Sequence, residues 1–200
     1  MHSYLSSLWG CLTLLVLAGT TLPAPAGAAC EEVIPLDLLP GDQVCATWVQ
    51  DGDPLTAYDQ QQLTEIINGG AFLYIQYGFV AAVFQNYIGE VSGEPASGMI
   101  SLYNQGSAAN ARALYLDPES GFGDPILDWQ WSGEARINYG IGNITLQFWE
   151  ECFFGAVLIM TDGDEPVQSA RCLAEAVCVM IHDALPVQHG SWGLLKTRFK

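Results

Sequence analysis

Between residues 59 and 78 the apolar positions recur with helical spacing. Leu63, Ile66, Ile67, Gly70, Tyr74 and Tyr77 fall on the i, i+3, i+4, i+7 series that lines one helix face. Asp59 stands where an N-cap accepts from the first free amides. Gln62 at N3 can reach back, and Tyr58 and Leu63 flank the pair as a hydrophobic staple. Gly78 suits the position just past the helix end. Inside the stripe, Gly69 and Gly70 each cost about 1 kcal/mol relative to alanine. A notch explains that cost: without a side chain at Gly70, another backbone or an aromatic ring can come close where the helix crosses a sheet. A ligand lying against Asn68, Gly69, Gly70, Tyr74 and Tyr77 is the sharper alternative.

Beyond this helix, "FVAAVFQNYI" (79–88) and "SGMISLYN" (97–104) read as strands joined by the Gly/Ser/Pro-rich loop "GEVSGEPAS". "GSAANARALYL" reads as a second helix capped by Ser107. "ILDWQWSGEARINYG" offers one or two short strands, with Trp129 and Trp131 on one face. That pair is packing if it faces the core and a ligand platform if it faces solvent. "NITLQFW" and "CFFGAVLIM" read as a hairpin turning at Glu150-Glu151, which sets Phe148 opposite Phe153 and Ile144 opposite Val157. A last helix, about 165–184, begins near Asp164 and Pro166 and buries Val167, Ala170, Ala174, Val177, Cys178 and Ile181. The pattern predicts an α+β fold: a mostly antiparallel twisted sheet with about three helices packed against it. It predicts one domain over 30–185 and a C-terminal tail over 186–200.

The ends change the picture. "LTLLVLAG" followed by "APAGAA" has the apolar core and small-residue cut site of a secretory signal peptide over residues 1–29. It is too short for a membrane span, which takes about 20 apolar residues, and it lacks the usual Lys or Arg at its start. The expectation is an exported bacterial protein: periplasmic, secreted or envelope-anchored. No later segment is apolar for long enough to span a membrane. The chain carries 22 Asp plus Glu against 6 Lys plus Arg, and three of those basics lie in the final "KTRFK". The body keeps Arg112, Arg136 and Arg171. That balance argues against nucleic acid as a partner, because a phosphate backbone needs a basic patch.

Removing the signal removes Cys11 and leaves Cys30, Cys45, Cys152, Cys172 and Cys178. In an exported chain an odd count leaves one cysteine free, intermolecular or modified. Cys30 directly follows "GAA", as the lipidated cysteine of a bacterial lipoprotein would, although Gly27 replaces the usual Leu; it is a candidate lipid anchor. Cys172 and Cys178 lie about 9 Å apart along one helix, beyond the roughly 7 Å that a disulfide tolerates. Each is therefore expected to reach out of the helix, one to Cys45 and one to Cys152.

"LTEIINGGAFLYIQYGF", "ISLYNQGSAANARALY" and "GNITLQFWEECFFGAVLI" resemble a family of exported bacterial proteins, domain of unknown function 6599, over about residues 45–182. Ile67-Asn68-Gly69-Gly70-Ala71, Tyr77-Gly78-Phe79 and Gly106-Ser107 match the family pattern. Ile66 replaces its preferred Tyr and Gln105 its preferred Met. The resemblance implies an α+β domain and an exported location, and no activity.

Catalytic signals are sparse. Of the mature chain's histidines, His182 falls at the end of the last helix, where a cation suits the dipole, and His189 lies in the tail. Neither sits near a nucleophile motif. Carboxylate pairs occur at Glu150-Glu151, Asp51/Asp53 and Asp162/Asp164/Glu165, and a hydrolase uses such pairs. "QDGDP" and "TDGDEP" are too short for a calcium loop and read as turns. Asn143-Ile144-Thr145 is a sequon that matters only in a eukaryotic secretory route. The sequence thus reads as a non-catalytic binding or structural module for a protein or small ligand, with no metal or cofactor site and no catalytic residue assigned. A hydrolase using surface carboxylate pairs is the alternative.

Overall fold

Ser92 and Gly93 both take positive φ, 55° and 79°. That is the requirement of the tight type I′ hairpin turn, whose twist matches that of the strands it joins. The expected loop is therefore absent, and the strands run up to the turn. They are β2 (Ala81–Val91) and β3 (Glu94–Asn104), paired along their whole length. The remaining strands are β1 (Val49–Ala57), β4 (Asp124–Pro125), β5 (Ala135–Gly140), β6 (Asn143–Glu150) and β7 (Phe153–Ile159). They form one antiparallel sheet in the order β1-β2-β3-β7-β6-β5-β4. The helices are α1 (Gln60–Ile67), α2 (Ala71–Gln76), α3 (Ala108–Leu116) and α4 (Glu165–Ala184). The fold is α+β. The computed structural model describes residues 30, 32–161 and 163–185; the signal-peptide and tail expectations, Asp162 and His189 lie outside them.

Alternation along the strands splits the apolar side chains between two faces. Val83, Ile100, Phe148 and Phe153 meet Ala170, Leu173, Val177 and Ile181 of α4, together with Leu38, Cys45 and Trp48 from the segment before β1. On the other face Phe84, Tyr103 and Phe154 meet Leu63 of α1, Ala71 of α2 and Leu114 of α3. Buried Asn104 ties the first segment down, donating to the carbonyls of Cys30 and Val33 at 2.6 and 3.1 Å.

Four expectations are corrected. The first helix is broken. α1 ends at Ile67, Asn68–Gly70 form a 3₁₀ turn, and α2 begins at Ala71. Asn68 pairs φ 53° with ψ −133°, which resets the helical phase. Ala71 consequently turns inward where an unbroken helix would have buried Gly70. Gly69 and Gly70 are exposed, and a Cβ on either would meet nothing within 4 Å, so they are not a packing notch.

The sheet holds the close approach instead. Trp48 lies against Gly89 and Gly98, where an added Cβ would stand 2.7 and 3.2 Å from its ring atoms.

The β6–β7 hairpin turns at Glu151-Cys152, with Glu151 at φ 50°. Phe148 therefore faces Gly155, and Ile144 faces Ile159. The expected register was off by two residues, an even slip that leaves each side chain on its expected face.

Finally, β1 runs through "QDGDP", where the sequence predicts a turn. Its pairing with β2 jumps from Asp51↔Asn86 to Leu55↔Phe84, a bulge. Buried Gln85 fills that bulge by donating to the carbonyls of Asp51 and Gly52, both at 3.2 Å.

Candidate functional site

The buried phase of β6 is Ile144, Leu146, Phe148 and Glu150. The strand's period of two thus delivers a carboxylate to a core position at its last residue. Glu150 has no solvent exposure. Its Oε2 accepts from the Gly133 amide at 2.8 Å. Its Oε1 accepts from Ser132 Oγ at 2.5 Å and from the Ser132 amide at 3.3 Å. His182 Nε2, from the last turn of α4, lies 2.7 Å from the same oxygen. Trp131 stacks on that imidazole, with ring centroids 5.3 Å apart and planes 29° from parallel. The strand end, the 126–134 loop and the C-terminal turn of α4 thus converge on one acid.

Glu151, turned by its left-handed backbone, joins this group. One ligand atom each from Glu150, Glu151 and His182 lies within 4.8 Å of the others. Cys178 is one turn before His182 on α4, and it is a free, buried thiol. Burial pushes its pKa far up, and the charges of Glu150 and Glu175 push it further, so it stays protonated and is no nucleophile. Nor is this a serine–histidine–acid relay. Ser132 Oγ and His182 Nε2 both bond to Glu150 Oε1, whereas a relay needs the imidazole between hydroxyl and acid.

The sequence-derived ligand site does not assemble. Asn68, Gly69 and Gly70 face solvent. Tyr74 turns into the second core and stacks on Tyr103, centroids 3.9 Å apart. Tyr77 donates from Oη to Asp117 Oδ2 at 2.6 Å, just past α3. A shallow groove of about 550 Å³ lies elsewhere, over Thr47, Val49, Ile88, Gly89 and Pro95.

The cysteines pair as Cys45–Cys172 and Cys30–Cys152. The link from Cys172 to Cys45 is one of those expected. Cys178, expected to pair, does not: it is buried against the sheet, and Cys152 is taken by Cys30. With its sulfur in that disulfide, Cys30 has no thiol to carry a lipid thioether.

Trp129 and Trp131 sit in a loop rather than a strand. Trp129 packs on Phe148, centroids 6.0 Å apart, and Trp131 on His182. Asp51 and Asp53 are exposed along the β1 bulge. The carboxylates with shifted pKa values, Asp117, Asp128 and Glu165, are all held below the ordinary range, by hydrogen bonds from Tyr77, Arg171 and Ser92 respectively. A general acid at neutral pH needs the opposite shift.

Sequence reasoning missed the Glu150 cluster. Ending the strand at Trp149 hid the period-two signal that places residue 150 inside.

No protein-family model and no curated protein matches the chain. Among solved structures it is similar to the extracellular domain of PknH from Mycobacterium tuberculosis, at 14% identity and a TM-score of 0.44. The match covers 76% of this chain and 96% of that one.

Proposed function

We propose that this chain is an exported, non-catalytic bacterial envelope or secreted module, held in shape by its two disulfides, that binds a protein or small ligand. It is akin to the exported domains that its Ile67–Ala71 and Tyr77–Phe79 motifs resemble. The observation that carries the reading is the disulfide pair. Both bonds join the segment before β1 to late parts of the chain, across separations of 122 and 127 residues. Such bonds persist in oxidising compartments and are rare in a reducing cytosol. The signal-like leader and the acidic composition support the same reading, and among the described residues no helix is long and apolar enough to cross a membrane. The groove over Gly89 and Pro95 is the surface offered to a ligand.

The test is fractionation of a bacterium expressing the full chain, with thiol trapping before lysis. The reading expects a shortened, oxidised chain in the periplasmic, envelope or extracellular fraction. A full-length, reduced chain in the cytosol contradicts it.

A further inference from the structure

We propose that Glu150, Glu151 and His182 form a binding site for one divalent first-row transition-metal ion, of the class that zinc represents. Two independent observations carry this. The first is geometry. The three ligand atoms lie within 4.8 Å of one another. Zinc–nitrogen and zinc–oxygen bonds of about 2.0–2.2 Å set ligands on one ion roughly 3–3.5 Å apart. His182 Nε2 and Glu150 Oε1, at 2.7 Å, need to open only slightly to admit an ion between them. Ser132 and the Gly133 amide hold the Glu150 carboxylate from behind, as outer-shell donors orient a ligating carboxylate. One imidazole and two carboxylates make a mixed nitrogen–oxygen set with open positions, which suits zinc or manganese rather than magnesium.

The second observation is the supply of cations. A fully buried carboxylate needs a positive partner, and buried charges are either paired or bound to metal. The body's three arginines are each engaged elsewhere. Arg112 pairs with Glu134, and Arg171 with Asp128 and Glu175. Arg136 bonds Gln147 and Ser120 and lies over the Tyr115 ring. Among the described residues the one ion-pair partner of Glu150 is His182, and a divalent ion recruits Glu151 as well.

Isothermal titration and thermal melts test this on the untagged, oxidised chain, with zinc chloride, after stripping by a chelator. The proposal expects one equivalent bound and a raised melting temperature. It expects affinity lowered by at least about tenfold in Glu151→Gln and in His182→Ala. Glu151→Gln is the decisive variant, because it leaves the Glu150 hydrogen bonds in place and its zinc-free melt should match the parent. The proposal is overturned if the parent binds no zinc, which leaves a plain His182–Glu150 pair. It is overturned equally if Glu151→Gln and His182→Ala bind zinc as well as the parent.

Discussion

At the scale of single residues, most polar groups in the described interior are matched; Gln85 Oε1, the indole N–H groups of Trp129 and Trp149, and both ends of the Gln105 amide are the exceptions. Gln105 is fully buried, and neither end of its amide has a partner among the described residues. An unpaired buried polar group costs about 1–3 kcal/mol. Gln105→Met keeps the volume and removes both orphan atoms. It should stabilise the chain by about 1 kcal/mol, read as a higher denaturant midpoint at unchanged slope. A lower midpoint would mean that the amide is satisfied in solution. The sequence pattern does not reveal the burial of Gln105, which comes from its place directly after β3. It reached Asp59 and Ser107, because a cap needs only its own helix. Asp59 Oδ1 accepts from the Gln62 amide at 2.8 Å, and Ser107 Oγ from the Asn110 amide at 3.2 Å. Of the two residues expected to flank the cap, Leu63 is buried and Tyr58 is half exposed.

At the scale of elements, glycines with one chemistry have two meanings. Gly70 is in helical conformation, φ −69° and ψ −18°, with open space around it. Gly70→Ala should therefore stabilise by about 0.5–1 kcal/mol, through lost freedom of the unfolded chain. Gly89 lies under Trp48, and Gly89→Ala should cost about 1–3 kcal/mol by overpacking. Paired urea melts decide it. Destabilisation at Gly70 would restore the notch reading, and tolerance at Gly89 would contradict the Trp48 contact. Periodicity could not separate the two, because what lies over a glycine is set by a distant segment. The same limit explains the other misses. The Ser92-Gly93 turn was hidden by Pro95 inside a strand. The β1 bulge was hidden because Gln85, its filler, comes from the neighbouring strand. The β6–β7 register was hidden because Cys152, in the turn, is held by Cys30. Where an element is specified by its own residues, as in α3 and α4, the pattern and the structure agree to within a residue or so.

At the scale of the whole molecule, a sheet covered on both faces is closed across long sequence distances. Its edges are guarded. β1 carries a bulge with Pro54 and two acids, and the two-residue β4 covers the start of β5. The segment before β1 has few elements of its own and is fixed to the rest by Asn104, by Trp48 and by the two disulfides. Cross-links that close loops this long stabilise by roughly 2–5 kcal/mol each. They also place Cys178 alone in the core, beside the Glu150 cluster. The most direct test of this account is peptide mapping of the exported protein, alkylated under denaturing, non-reducing conditions. It should recover Cys30 linked to Cys152, Cys45 linked to Cys172, and a single alkylated cysteine at Cys178. Cys178 found in a disulfide, or Cys30 found unpaired and bearing lipid, would contradict it.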